Sequence, residues 1–279
     1  MAGTEDRNIR SPADLETLKR RTFYGREKDN AVYPIELANL VLHGIDEPHL
    51  WHGNTLTGAE TYGGLFQGAP SLYEVIMMNP PFGGKEGKEA QTRFTYKTGA
   101  TQVLFLQHVI DSLKPGGRCG MVLDEGVLFR NNELAFVKTK RKLLDDCDLY
   151  CILSLPPGVF LSAGAGVKTI LLFFNRGGPT ERIWYYDLSD IKVGKKTPLT
   201  IDGFQEFFRL LPSRADSERS WSVAREEVET RNLDLKAVNP NRKLDEDSRT
   251  PEELLDLIEQ KDRKVSDAIS RLRASLRAP

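Results

Sequence analysis

Cysteines are few in this sequence, and a long apolar run is missing altogether. The 279 residues include only Cys119, Cys147 and Cys151, and so small and odd a set argues against a disulfide framework. No second Cys or His pair lies at metal-ligand spacing, so we expect buried free thiols and no metal site. No apolar run approaches the ~20 residues of a membrane span, and Met1–Arg10 shows no signal peptide. We therefore expect a cytoplasmic protein without a membrane partner.

A strong net charge is also absent. The 39 basic and 40 acidic side chains leave a formal net charge of -1. A protein that binds DNA unaided is usually basic, because phosphate contacts supply most of the affinity. If the chain acts on DNA, we expect it to use local basic loops or the DNA-binding surface of a partner.

Apolar strand-like and helix-like segments alternate along the first 190 residues, which predicts an α/β domain with a mostly parallel sheet. The predicted strands are 22–25, 49–53, 73–78, 118–123, 149–155, 168–175 and 182–187. The predicted helices are 34–43, 100–113 and 133–144. Only six residues join the last two strands, which favours an antiparallel hairpin at the sheet edge.

The composition changes after about residue 190, and we interpret residues 191–249 as a charged connector. Residues 250–279 then predict a long helix, because Thr250-Pro251-Glu252-Glu253 combines an N-cap, a first-turn proline and a capping box. One narrow apolar stripe on a charged helix favours docking onto a partner helix. A terminal helix that folds onto its own domain remains the alternative. The stripe consists of Leu254, Ile258, Val265, Ile269, Leu272 and Leu276.

The segment Asn79-Pro80-Pro81-Phe82 ends the predicted strand of residues 73–78. It offers a side-chain oxygen from Asn79, a main-chain carbonyl from Pro80, a turn stiffened by Pro81 and an aromatic face from Phe82. Ligands of open α/β sheets bind beyond such strand ends. An enzyme that methylates a base amine needs two fixed acceptors and a flat surface for an extruded base. The alternative is a plain turn with Phe82 in the core, since Asn-Pro pairs often initiate turns.

This segment resembles the catalytic motif of amino-methylating DNA methyltransferases, and its surroundings resemble the modification subunit of type I restriction–modification systems. The resemblance runs from about residue 15 to the end of the chain. Its further motifs are Phe23-Tyr-Gly-Arg-Glu-Lys28, Leu42-His-Gly-Ile45 with His52-Gly-Asn-Thr-Leu56, Leu155-Pro-Pro-Gly-Val-Phe160 with Gly166-Val-Lys-Thr169, and Asn232-Leu-Asp-Leu-Lys236.

The resemblance implies a Rossmann-like sheet that binds S-adenosylmethionine and methylates the N6 amine of adenine in double-stranded DNA. Residues 79–82 would hold the target base. Glu27 would bind the ribose hydroxyls of the cofactor, and Asn54, followed by Thr55, would contact its adenine. Lys85 and Lys88 would touch DNA phosphates or remain solvated. A specificity subunit and a restriction subunit would be the partners of the chain.

The sequence departs from the family in one respect. The first motif, an Asp-Pro-x-Cys-Gly-x-Gly-like tract that wraps the methionine end of the cofactor, is absent, together with its central strand. We therefore expect a gap between the strands at 22–25 and 73–78, and a second polypeptide that supplies the missing motif. Two alternatives stay open: a non-catalytic assembly subunit, and a methyltransferase that acts on RNA or on protein glutamine.

Overall fold

The computed structural model describes residues 11–61, 66–161, 164, 166–194, 196–241 and 250–275. The strands are β1 (Tyr24–Glu27), β2 (His49–Asn54), β3 (Ala59–Glu60), β4 (Tyr73–Met78), β5 (Leu113–Asp124), β6 (Cys147–Ser154), β7 (Thr169–Arg176), β8 (Arg182–Asp187) and β9 (Ser220–Ala224). The helices are α1 (Pro12–Arg21), α2 (Val32–Leu42), α3 (Lys88–Thr92), α4 (Thr101–Ser112), α5 (Gly126–Phe129), α6 (Leu134–Asp146), α7 (Gln205–Leu210), α8 (Arg225–Thr230) and α9 (Pro251–Ser275). Met1–Arg10, which carries the expectation about a signal peptide, and Leu276 of the apolar stripe lie outside the described residues.

Six strands form the main sheet in the order β4-β5-β7-β6-β8-β9. β5 runs parallel to β4, and β8 runs parallel to β6. β7 is antiparallel to both β5 and β6, and β9 is antiparallel to β8. Thus β4, β5, β6 and β8 point in one direction, as predicted for a mostly parallel sheet.

The predicted hairpin between the strands at 168–175 and 182–187 is wrong. β7 lies inside the sheet, where Phe174 is opposite Cys119 of β5 and Leu149 of β6. β8 pairs with the far side of β6, and the antiparallel edge is formed by β8 and β9 instead. The link of residues 177–181 crosses β6, and two strand spacings of ~4.8 Å are well within its reach. The apolar character of both faces of β7 favours this central position.

Helices and loops pack on both faces of the main sheet from β5 to β8. On one face, Ile110 of α4 and Leu143 of α6 pack with Leu172 of β7 in one apolar cluster. On the other face, Phe207 of α7 packs with Trp184 of β8 in a second cluster. Neighbouring residues of β7 and β8 belong to different clusters, as the two-residue period of a strand requires. The sheet is therefore the middle layer of an α/β arrangement.

The expected domain boundary near residue 190 lies inside a compact unit that extends to Asn241. β9 extends the main sheet, and its Trp221 and Val223 belong to the core. Leu233 and Leu235 are also buried there. Apolar residues in this region are isolated among charged ones, so their burial depends on β8 and the core rather than on a local pattern. The helix α9 belongs to a second compact unit.

The sheet is interrupted between β1 and β4. β1, β2 and β3 form a separate sheet, and among the described residues β1 ends that sheet while β4 ends the main one. A cavity of about 380 Å³ separates these two strands. The expected gap between the strands at 22–25 and 73–78 is therefore confirmed.

The three thiols are free and buried, as the sequence predicts. Burial raises the pKa of Cys147 to about 12 and raises the pKa of Cys119 and of Cys151 further. These groups therefore stay protonated and inert. Among the described helices, none combines the length and the apolar character that a membrane span requires.

Lys140 lies on the inner side of α6, and only 1% of the residue is exposed. Its Nζ donates to the carbonyl oxygens of Leu128 at 2.8 Å and Arg130 at 3.1 Å, and to Oδ1 of Asn131 at 2.5 Å. These bonds hold the end of α5 and the following turn against α6. Burial lowers the pKa of Lys140 to about 8.

Replacing Lys140 with methionine should lower the free energy of unfolding by roughly 2 kcal/mol at neutral pH. The carbonyl groups of Leu128 and Arg130 lose their donor, at about 1–3 kcal/mol each, and relief from burying the ammonium offsets part of this loss. The pKa of Lys140 in the folded chain lies below its usual value of 10.5. The unfolded chain therefore binds more protons between about pH 8 and 10.5, and the wild-type chain gains stability across that window.

Urea unfolding near pH 7 and near pH 9.5 measures this effect, and the difference between wild type and variant should widen at the higher pH. Lys138→Met is the matched control, because Lys138 lies on the same helix with an exposed side chain. It should change stability by less than about 0.5 kcal/mol. Equal stability of wild type and Lys140→Met at both pH values would contradict the assigned role of the buried ammonium.

Candidate functional site

The segment 79–82 leaves the carboxyl end of β4. Pro80 and Pro81 lack amide donors, so they end the strand there. Asn79 is exposed, and no described residue forms a hydrogen bond with its side chain. Phe82 is half-buried and its ring meets that of Phe160, with 5.4 Å between centroids and 60° between planes. The segment thus presents its amide at the surface, and its aromatic ring meets Phe160, which packs against the second core cluster.

One cavity of about 750 Å³ lies at the carboxyl ends of three strands. Glu27 is the last residue of β1, Asn54 is the last residue of β2, and Asn79 follows β4. Parallel pairing of β1 with β2 brings their carboxyl ends to one edge. The predicted site residues on the cavity wall are Glu27, Asn54, Thr55, Asn79, Pro80 and Pro81. Phe82 is the predicted site residue that does not line it.

Hydrogen bonds fix the loop that follows Glu27. Glu27 Oε1 accepts from the backbone N–H of Asp29 at 2.6 Å. Asp29 Oδ1 in turn accepts from the N–H groups of Ala31 at 2.7 Å and Val32 at 3.1 Å, at the start of α2. These backbone hydrogen bonds lower the pKa of Asp29. The Glu27 carboxylate is therefore held in place at the cavity wall, with acceptor capacity left for hydroxyl donors.

The side chain of Asn54 takes part in a local turn. Its Oδ1 accepts from the backbone N–H of Leu56 at 2.9 Å, which closes a local turn. This oxygen has a second lone pair, so Asn54 retains one acceptor site and its Nδ2 donor for a ligand.

Arg26 and Phe160 are site residues whose roles sequence reasoning missed. The Arg26 guanidinium lies 4.5 Å from the ring centroid of Phe66 and lines both the 750 Å³ cavity and the gap between β1 and β4. Its Nε is buried without a hydrogen-bond partner in the described structure. Phe160 pairs with Phe82 across 78 positions of sequence. The sequence did hold one signal for these residues, because Arg26 and Phe160 each lie in a segment that resembles a family motif.

Lys85 and Lys88, the two lysines considered for phosphate contacts, lie in different surroundings. Lys85 lines a further cavity of about 400 Å³ together with Arg130, beyond the end of β5. Asp124 and Glu133 line the same cavity, so its charge is mixed. Lys88 begins α3 with an exposed side chain and does not line this cavity.

Comparison with known proteins identifies the family of this chain. The family model for N-6 DNA Methylase matches residues 7–248. The chain belongs to this family. A type I restriction enzyme methylase subunit, EcoEI of Escherichia coli, is 31% identical over 288 residues, which cover 98% of this chain and 56% of that protein. A solved chain from a study of the assembly and conformational transition of a type I R-M system is 38% identical, with a TM-score of 0.75, over 96% of this chain and 57% of that chain.

The chain therefore spans little more than half the length of these relatives. A Listeria monocytogenes protein described as a class I S-adenosylmethionine-dependent methyltransferase has a TM-score of 0.52 at 15% identity, over 69% of this chain and 55% of that chain. That likeness shows the fold alone. The predicted Rossmann-like methyltransferase fold is confirmed.

Proposed function

We propose that this member of the N-6 DNA methylase family is the catalytic part of an adenine-specific DNA methyltransferase. It would transfer the methyl group of S-adenosylmethionine to the N6 amine of adenine in double-stranded DNA, as the modification subunit of a type I restriction–modification system. The observation that carries the proposal is the meeting of Glu27, Asn54 and Asn79 at one cavity beyond three strand ends.

The cavity fits the proposed cofactor in size and chemistry. Its volume of about 750 Å³ lies in the usual range of small-molecule sites. The Glu27 carboxylate would accept hydrogen bonds from two ribose hydroxyls, and Nδ2 of Asn54 would donate to a ring nitrogen of the adenine, beside Thr55. When bound, the cofactor supplies an electrophilic methyl group. The residues of this chain supply position and orientation.

The segment 79–82 would act on the target base. An adenine amine is a weak nucleophile, because its lone pair is delocalised into the ring. Oδ1 of Asn79 and the main-chain carbonyl of Pro80 would accept the two amine hydrogens and turn the lone pair towards the methyl group. The rings of Phe82 and Phe160 would hold the flipped-out base. Catalysis then rests on orientation and preorganised dipoles, without a covalent enzyme intermediate.

Transfer of a tritiated methyl group tests the function. The chain is incubated with labelled S-adenosylmethionine and with duplex DNA, RNA or protein, alone and together with type I partner subunits. We expect label on adenine in duplex DNA only. Label on RNA or on protein glutamine would contradict the proposal and favour the corresponding alternative.

A second candidate is a non-catalytic assembly subunit, and the open gap between β1 and β4 favours it for the isolated chain. The absence of label with every substrate and every partner would support this candidate. Label on DNA only in the presence of partners would instead show a catalytic chain that needs completion.

Replacing Glu27 with glutamine should weaken S-adenosylmethionine binding about tenfold, because charge-assisted hydrogen bonds to the ribose become neutral ones. The amide oxygen retains the bond from the Asp29 N–H, so the loop should stay in place. Calorimetric titration of the assembled enzyme with S-adenosylmethionine measures the change. Glu89→Gln, on the exposed side of α3, is the control and should bind like wild type. If Glu27→Gln bound S-adenosylmethionine with wild-type affinity, Glu27 would not be part of the cofactor site.

We also infer that α9 docks onto the specificity subunit, which would choose the DNA site, while a restriction subunit completes the assembly. The predicted capping box is confirmed, since Thr250 N donates to Oε2 of Glu253 at 2.7 Å and Glu253 N donates to Oγ1 of Thr250 at 3.2 Å. The 25 residues of α9 span about 37 Å at 1.5 Å per residue. Ile258, Val265 and Ile269 of the stripe are exposed by 63%, 55% and 45%. Such a stripe fits an apolar partner helix.

A further inference from the structure

The chain that follows β4 forms a wall shared by two cavities. Residues 79–81 and Glu86 line the 750 Å³ cavity, whereas residues 83–85 line the second cavity of about 400 Å³ beyond the end of β5. The proposed reaction does not use the second cavity. A ligand bound there would lie within a few residues of the segment that holds the target base.

Backbone hydrogen bonds fix Lys85 at the wall of the second cavity. Thr101 N donates to the carbonyl oxygen of Gly84 at 3.1 Å, and Glu86 N donates to the carbonyl oxygen of Gly99 at 2.9 Å. Lys85 lies between these two bonds and is exposed. Its main chain is therefore held in place, and its ammonium group is free to meet a ligand.

Arg130 supplies a second cation to the same cavity. Its carbonyl oxygen accepts from Nζ of the buried Lys140 at 3.1 Å, and its guanidinium lies 5.8 Å from the ring centroid of Phe136. Within the part of the chain that the structure describes, neither Arg130 nor Lys85 forms an ion pair. Both positive charges are therefore available to an external anion.

Neutral hydrogen-bond donors line the cavity as well. The first residues of α4, 101–103, belong to its wall, so the positive end of the helix dipole lies there. Gln102 is only 6% exposed, and its Oε1 accepts from the N–H of Asp124 at 2.7 Å. Nε2 of Gln102 forms no hydrogen bond with a described residue. A nearly buried amide donor is thus left for an acceptor on a ligand.

Two carboxylates share the cavity with these donors. Asp124 Oδ1 accepts from the N–H of Gly126 at 2.5 Å, which closes the turn after β5, and Glu133 is exposed. Their charges balance those of the two cations, so a small free anion gains little by entering. The cavity suits an anionic group that further contacts bring to it, such as one phosphate of a polyanion.

We propose that this cavity binds one backbone phosphate of the DNA strand that carries the target adenine. Lys85, Arg130 and Nε2 of Gln102 are the donors. Six peptide units from Asn79 to Lys85 reach at most about 20 Å, which places this phosphate within a few nucleotides of the extruded base. The contact holds the strand in register while sequence choice lies elsewhere. The identity of the strand rests on the proposed function.

The salt dependence of DNA binding tests the phosphate contact. The chain is titrated into a fluorescently labelled duplex between about 50 and 200 mM salt, and Kd is measured by anisotropy. Lys85→Met with Arg130→Met should flatten the slope of log Kd against log salt by about 1.8, or about 0.9 per lost contact. Lys88→Met with Lys97→Met is the matched control. It removes two exposed lysines that do not line the cavity, and it should keep the wild-type slope.

A variant with the opposite sign strengthens the test. Glu133→Gln removes a negative charge from the cavity wall, so it should tighten DNA binding about threefold at low salt. Glu89→Gln removes an exposed carboxylate of α3 that does not line the cavity, and it should bind like wild type.

Four results overturn the phosphate site. They are no DNA binding by the wild-type chain at low salt, an unchanged slope in the Lys85 and Arg130 variant, an equal loss of slope in the lysine control, and binding by Glu133→Gln that is unchanged or weaker. Methyl transfer separates this inference from the proposed function. Binding that depends on the two cations without label on adenine would support the phosphate site and contradict the function. Label on adenine with an unchanged slope would contradict the phosphate site alone.

Discussion

Replacing Asn79 with alanine should lower methyl transfer to adenine about 10²–10³-fold, the usual loss when one preorganised hydrogen-bonding group is removed from a reaction centre. The variant loses the side-chain oxygen that orients the amine, while the Pro80 carbonyl remains. Because the amide is exposed and makes no bond with the described residues, stability should change by less than about 0.5 kcal/mol. Single-turnover transfer from labelled S-adenosylmethionine, with saturating DNA, measures the chemical step directly.

Asn79→Asp is the informative partner variant. A carboxylate retains oxygen acceptors at the same place, so it should keep part of the activity that alanine loses. Thermal unfolding of both variants shows whether the fold is intact. Wild-type transfer by a folded Asn79→Ala enzyme would exclude the residue from catalysis, and with it the proposed orientation of the amine.

Placing aspartate at Ile258, Val265 and Ile269 together should abolish assembly with the specificity subunit. Burying even one unpaired carboxylate in an apolar helix interface costs several kcal/mol, so three exceed the affinity of an ordinary complex. These side chains are exposed in α9, so the chain itself should fold as before. Co-purification and analytical ultracentrifugation measure assembly.

Deleting residues 250–279 should have the same effect as the triple variant. The matched control is Glu259→Ala with Lys264→Ala and Asp267→Ala, three changes on the charged surface of the same helix. This control should assemble normally, since exposed charges contribute little. Assembly of the aspartate variant at wild-type strength would show that the stripe is not the docking surface.

Much of the fold could be predicted from local patterns. The strand that ends at Asn54 and the strand that Asn79 follows were predicted within a few residues of their bounds, and parallel strands bring such ends together. The order of the strands could not be predicted in this way. The central position of β7 depends on contacts with β5 and β6 that lie far away in sequence, and β9 is held by β8 rather than by its own composition.

The candidate site could also be predicted only in part from the sequence. Asn79 was predicted from its position after an apolar strand, whereas Glu27 was predicted from the resemblance of residues 23–28 to a family motif. The contact of Phe82 with Phe160, and the position of Arg26 between two cavities, follow only from tertiary structure. The turn that occupies Oδ1 of Asn54 is local, and the tendency of Asn to bond the backbone two residues on could have predicted it.

The position of β7 between β5 and β6 has a consequence for synthesis on the ribosome. Both flanking strands precede β7 in the chain, so each leaves the exit tunnel before the strand that joins them. Until Arg176 has emerged, the nascent polypeptide carries two apolar strands whose shared partner does not yet exist. Such intermediates are prone to aggregate, and they are the stage at which chaperones act. β7 thus joins two strands that have already left the tunnel, before β8 and β9 extend the sheet.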